Sequence, residues 1–166
     1  MKITALQEYG IRCMVQLASE EGGSLPRTTS SIAEKEGLSR DYVEKILFQL
    51  SKVKMVESVR GMNGGYILRK NADKISVGEI VMALSEKPVR MKQVKKDLCP
   101  QFPGKKNRCV HISGCAVRLL WTMVVTQVYG VLNHLPLSAL VGSEEEIQKR
   151  LSALLIKRRS GEEVLA

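Results

Sequence analysis

The sequence predicts a mainly α fold with one small β-hairpin: a winged helix-turn-helix followed by a long helix. Three observations carry this. A short helical stretch, Thr29 to Glu36, meets the next helix through only "GLS" at 37 to 39. That next helix runs straight into "MVESVRGMNGGYILRK", two Val-, Tyr- and Ile-rich runs separated by Gly61, Asn63, Gly64 and Gly65. Two helices joined so closely form a helix-turn-helix, and a hairpin set directly behind them forms a wing. Third, Ala116 to Leu135 is strongly apolar over the length of a long helix.

In chain order, residues 3 to 19 read as a first helix whose apolar seam is Leu6, Tyr9, Cys13 and Leu17, spaced at three or four residues. "EEGGSLPRTT" breaks it. Gly37 suits the left-handed end of the second helix and Ser39 can cap the third, which spans Arg40 to about Lys54. Val43, Ile46, Leu47, Leu50 and Val53 point that third helix at a core, leaving Asp41, Glu44, Lys45, Phe48 and Lys52 on the other face. After the hairpin, Ser76 and Glu79 form a capping box that opens a helix to about Ser85. "EKPVRMKQVKKDL", residues 86 to 98, is basic and poorly patterned. Ser143 with Glu146 makes a second capping box, opening a last helix that carries Ile147, Leu151 and Leu154 and frays in "LIKRRSGEEVLA".

Lys plus Arg outnumber Asp plus Glu by 26 to 17, which favours a polyanionic partner, nucleic acid ahead of a membrane surface. The first twenty residues contain no continuous apolar stretch of the secretory kind, so the chain is expected in the cytoplasm. Ala116 to Leu135 is about as long as a bilayer core requires. However, Arg118, Thr122, Thr126, Gly130 and Asn133 make a narrow polar or small stripe along it. That pattern fits a helix packed between its own domain and a partner subunit better than a membrane span. There is no Gly-rich phosphate loop and no Gly-x-Ser-x-Gly elbow, so enzyme motifs are absent.

The recognition helix of such a module lies in the major groove, where base edges differ in their donors and acceptors. Glu44 can accept from cytosine N4, Lys45 can donate to guanine, Phe48 can touch a thymine methyl, and Asp41 shares their face. Arg60 sits at the hairpin tip, where it can meet a phosphate or enter a narrow minor groove. Arg27, Arg40, Lys52, Lys54 and Arg69 join Lys45 and Arg60 as a basic set in or beside the module, against the bland alternative of an ordinary solvated helix face.

"LCPQFPGKKNRCVHISGC", Leu98 to Cys115, holds three of the four cysteines. In a reducing cytoplasm a structural disulfide is disfavoured, which leaves metal ligation or redox sensing. Cys99, Cys109, His111 and Cys115 suit zinc by type, although the close Cys-x-His pair is awkward for one metal. A cluster-free redox switch is a further reading. Cys13, on the apolar seam, reads as a buried structural thiol. Glu8 has Arg12 one turn away as an ion-pair partner, and His134 is assigned to a surface or interface.

"MKITALQEYGIRCMVQLA", "SIAEKEGLSRDYVEKILFQLSKVKMVESVRGMNGGYIL", "ISVGEIVMAL" and the cysteine trio ahead of a long helix together resemble the Rrf2 family of bacterial transcription regulators, in its cluster-binding branch. The resemblance spans nearly the whole chain, and "VRGMNGGYIL" is its most specific part. It implies a homodimer joined through the long helix, a palindromic double-stranded DNA operator, and control by an iron–sulfur cluster of the 4Fe-4S or 2Fe-2S type. By position, Cys99, Cys109 and Cys115 are the implied thiolate ligands, and Glu8 of the other subunit occupies the place where the family usually carries an aspartate ligand. Thiolates are the soft ligands such clusters require, and a non-cysteine ligand leaves one iron reactive. Lys105, Lys106 and Arg108 would offset the charge of the cluster and its thiolates. On this basis residues 1–86 form the DNA-binding domain, 87–115 the basic linker and cluster loop, and 116–166 the dimerisation helix and C-terminal helix. The competing expectation is an iron–sulfur or zinc carrier that docks an acidic protein through its basic module.

Overall fold

The computed structural model describes residues 3–19, 25–61, 63–85 and 115–159, with side chains as far as residue 154. Helix α1 spans Ala5–Ala18. It opens on a capping box in which the Gln7 amide donates to Thr4 Oγ1 (3.3 Å) and the Thr4 amide to Gln7 Oε1 (3.0 Å). Cys13, Met14 and Leu17 are buried along its inner face. Gln7 is buried too, because its Nε2 donates to the Val81 carbonyl and to Ser85 Oγ, each at 3.0 Å. Those bonds satisfy a polar group that burial would otherwise penalise, and they clip the start of α1 to a later helix. At Gly10 a β-carbon would collide with Leu84 Cδ1, so glycine is what admits that leucine.

The helix-turn-helix consists of α2, Thr29–Glu36, and α3, Arg40–Lys52. As expected, Gly37 ends α2 in the left-handed region (φ 64°), and Ser39 Oγ caps α3 by accepting from the Tyr42 amide at 3.3 Å. Val43, Ile46, Leu47 and Leu50 are fully buried. Val53 is not: the helix ends at Lys52, Lys54 takes a positive φ of 61°, and that turn leaves Val53 49% exposed. The core-facing period of the sequence therefore runs one residue past the helix it describes.

Strands β1, Val56–Val59, and β2, Gly65–Leu68, pair antiparallel with Val56 opposite Leu68 and Val59 opposite Gly65. A third segment adds to this wing, since the Arg27 amide donates to the Tyr66 carbonyl (3.0 Å) and the Tyr66 amide to the Arg27 carbonyl (2.8 Å). Gly65 allows that approach, because a side chain there would run into the Arg27 carbonyl. After a 3₁₀ turn at Ala72–Lys74, helix α4, Val77–Ala83, opens on the expected capping box, with the Ser76 amide donating to Glu79 Oε2 at 2.8 Å and the Glu79 amide to Ser76 Oγ at 3.2 Å.

Helix α5 covers Ala116–His134, a 3₁₀ turn covers Leu137–Leu140, and α6 covers Glu144–Arg159. The second capping box is also present, from the Ser143 amide to Glu146 Oε2 (3.1 Å) and from the Glu146 amide to Ser143 Oγ (3.4 Å). Val77 and Val81 of α4 pack on Val125 and Tyr129 of α5 as a small second core. Beyond α5 the chain returns to the main core: Leu137 is fully buried beside Cys13, Leu17 and Ile75, and its amide donates to the Ile75 carbonyl at 2.8 Å. Among the described residues no helix is long and apolar enough to cross a membrane.

Candidate nucleic-acid interface and metal centre

Burying Val43, Ile46, Leu47 and Leu50 dictates what α3 turns outward. Arg40, Asp41, Glu44, Lys45, Phe48 and Lys52 are all exposed, and Phe48 keeps 54% of its surface in solvent. The Lys52 ammonium lies 4.3 Å from the centroid of the Phe48 ring. Gln49 is exposed on the same helix and was overlooked in the sequence. Its signal was present, because it stands four residues after Lys45, and glutamine is an adenine reader by chemistry.

Arg60 is exposed where the wing turns, just before Gly61 with its φ of 117°. The Gly64 amide donates to the Gly61 carbonyl at 2.9 Å and closes that turn. Behind the tip, Arg69 and Glu57 form an ion pair at 3.5 Å. Arg27 stands apart from this set. Its side chain is half-buried, its Nη2 donates to Ser19 Oγ at 3.0 Å, and its backbone is the wing's third segment. Arg27 therefore anchors the wing from behind, whereas Arg40, Lys45, Lys52 and Arg60 face outward.

Of the four expected metal ligands, Cys99 and Cys109 lie outside the described residues, as do His111, Lys105, Lys106 and Arg108. Cys115 is half-buried at the N-cap of α5, where its Sγ accepts from the Arg118 amide at 3.3 Å. Glu8 is exposed and paired with Arg12 at 3.0 Å, and Arg12 also reaches Glu36 at 3.8 Å. The hydrogen bond and charge of Glu8 hold the Arg12 guanidinium all the more firmly protonated. Glu36, nearly buried, accepts in addition from Gln16. Among the described residues no three His, Cys, Asp or Glu side chains converge as a metal site. Cys13 is fully buried, as expected of a structural thiol, and burial, reinforced by the charge of Glu36, pushes that thiol up to about 12.

Among the described residues, helix α5 carries most of the exposed large apolar side chains. Val125 and Tyr129 face inward, but Val117, Leu119, Leu120, Trp121, Met123 and Val124 in its first half are all exposed. Among the described residues, those that pack on α5 cover one side of it. A contiguous apolar patch of this kind marks an interaction surface.

Residues 3–143 match the family model Rrf2, described as an iron-dependent transcriptional regulator. Over 146 residues the chain is 32% identical to the HTH-type transcriptional regulator IscR of Escherichia coli, an alignment covering 87% of this chain and 83% of that protein. Among solved structures it resembles CymR, the global cysteine regulator of B. subtilis, with a TM-score of 0.66, 29% identity, and coverage of 84% of this chain and 95% of that one. It also resembles IscR of T. potens, with a TM-score of 0.64, 25% identity, and coverage of 100% and 93%.

Proposed function

The chain belongs to the Rrf2 family of winged-helix transcriptional regulators, and from that premise we propose that it acts as a cytoplasmic homodimer whose grip on a palindromic operator is set by an iron–sulfur cluster. Its homologues are regulators and not enzymes. Family membership and an outward-facing recognition helix together speak against the metal carrier. The observation that carries the DNA reading is the division of α3 into a buried apolar face and an exposed face bearing Arg40, Asp41, Glu44, Lys45, Phe48 and Lys52.

In this reading Asp41, Glu44 and Lys45 meet base edges in the major groove, Arg40 and Lys52 meet phosphates, and Arg60 reaches the neighbouring groove or backbone. Arg27 contributes by holding the wing in register. The apolar half of α5 pairs with the same face of a second copy. A two-fold dimer then sets two recognition helices about 34 Å apart on successive major-groove turns, which is why the operator is palindromic.

The donor set fits a cluster. Cys115 offers a half-buried sulfur at a helix N-terminus, where backbone partial charges favour an anionic group, and Glu8 offers an exposed carboxylate in an exposed ion pair. Cys99, Cys109 and Cys115 would hold the group, with Glu8 of the second copy as the further ligand. When bound, it supplies an iron site open to oxidants or nitric oxide. The chain's own part is mechanical: the 86–114 segment joins α4, clipped to α1 through Gln7, to α5, so a change at Cys115 bears on both the dimer helix and the DNA module.

Anaerobic purification followed by absorption spectroscopy and iron and sulfide analysis tests this, with alanine variants at Cys99, Cys109, Cys115 and Glu8. Visible absorption that each cysteine variant loses, together with selection of a palindrome from random DNA, is the expected result. An iron-free chain after reconstitution refutes the cofactor. That outcome would favour a cluster-free thiol sensor, the reading supported by likeness to a regulator named for cysteine.

A further inference from the structure

Phe48 is a large apolar side chain left mostly in solvent on a helix face whose other members are charged or polar. It has no role in filling the core, because Val43, Ile46, Leu47 and Leu50 already do so from the opposite face. Lys52 is exposed as well, and its ammonium lies over the ring, 4.3 Å from the centroid. The lysine lies over the ring, and Phe48 still keeps 54% of its surface in solvent.

We propose that Phe48 and Lys52 act as one unit of the DNA interface, the ring reading the 5-methyl group of a thymine while the ammonium held against it takes the adjoining phosphate. This rests on the DNA-binding reading above. Position along the helix allows it. From Glu44 to Phe48 the axis advances about 6 Å, well within the roughly 12 Å width of the major groove, so a helix that puts Glu44 on a base edge keeps Phe48 in the same groove. Chemistry narrows the target, because a phenyl ring offers no hydrogen bond and the thymine methyl is the apolar feature among the four base edges.

The cation–π contact gives the pair its coupling. A free lysine loses most of its rotamer freedom when it is fixed on a phosphate, whereas one already resting on the ring has lost part of it. Lys52 is the basic residue of the helix's last turn, one turn beyond Phe48, so the two can meet neighbouring groups of one strand.

The test uses the full chain and a site selected from random DNA. Each thymine of the half-site is replaced in turn by deoxyuridine, which removes one methyl group, and affinity is read by fluorescence anisotropy. The wild type is expected to lose about fourfold at one thymine of each half-site, the worth of one buried methyl group. Phe48→Ala, with unchanged helicity by circular dichroism, is expected to bind the thymine and uracil sites alike. Lys52→Gln is expected to keep the methyl preference and to flatten the salt dependence of log affinity by about one unit per protomer. A wild type indifferent to uracil at every position, or a Phe48→Ala variant with the same uracil penalty, overturns the proposal while leaving DNA binding intact. Failure to select any site overturns the regulator reading and this one with it.

Discussion

Truncating Leu119 should weaken the proposed dimer without unfolding the chain. Leu119 is 69% exposed, the most open of the large apolar residues described on α5. Complete burial of a leucine stabilises by about 1.5–3 kcal/mol, so covering the exposed two-thirds contributes about 1–2 kcal/mol per protomer. A two-fold interface uses each residue twice, which doubles this to about 2–4 kcal/mol. At about 1.4 kcal/mol per decade, Leu119→Ala should raise the dimer dissociation constant by between about 30-fold and several hundredfold. Sedimentation velocity over a dilution series measures the constant directly. Trp121, 41% exposed on the same helix, supplies a second signal through a blue shift of its emission on association. Leu119→Glu, which would put a carboxylate on the face a second copy is proposed to cover, should leave a monomer at all accessible concentrations. An unchanged dimer constant in Leu119→Ala would falsify the assignment of this face to a second copy.

Cys13 should resist thiol reagents in the folded chain at pH 8, since a thiol pushed up to about 12 is ionised there to only about one part in ten thousand; timed alkylation with mass spectrometry reads this, and fast labelling would refute it. The sign for stability follows, because the folded value lies above the unfolded one of about 8.5. The contribution is complete below that pH and is lost as pH rises toward 12, so denaturant midpoints should fall more steeply there for the wild type than for Cys13→Ala. Gly65→Ala should cost about 1–3 kcal/mol by forcing the Arg27 segment away from β2, with a matching loss of wing-dependent DNA affinity. Ser76→Ala should lower stability by about 1 kcal/mol, read as a drop in Tm, with helix α4 the first element to lose hydrogen-exchange protection.

The parts of this fold that were readable in the sequence are those decided within a few residues. Gly37 with Ser39, Ser76 with Glu79 and Ser143 with Glu146 are local contacts, and each occurs as the spacing implied. The outward set on α3 followed from the same periodicity that identified its core face. The part played by Arg27 in the wing was not legible, for the opposite reason. Its place in the wing depends on a backbone approach to Tyr66 across many residues, and no local pattern marks a single bridging residue inside "SLPRTT". Val53 failed because a helix-period pattern does not reveal where the helix stops, and the left-handed Lys54 that stops it carries no glycine to announce the turn. Glu8 was legible as an ion-pair partner of Arg12; ligation would depend on a second chain, which no spacing within one chain specifies.

The Arg27 bridge has a thermodynamic consequence. With Tyr66 hydrogen-bonded to Arg27 on one side and β2 paired to β1 on the other, the wing is the ordered edge of a minimal sheet before any duplex arrives. The entropy lost in fixing the strands that carry Arg60 therefore falls on folding and not on association. Under the proposed DNA-binding role, this one pair of backbone hydrogen bonds links operator affinity to fold stability, so a change that loosens the bridge should weaken DNA binding even at temperatures where the helical core remains intact.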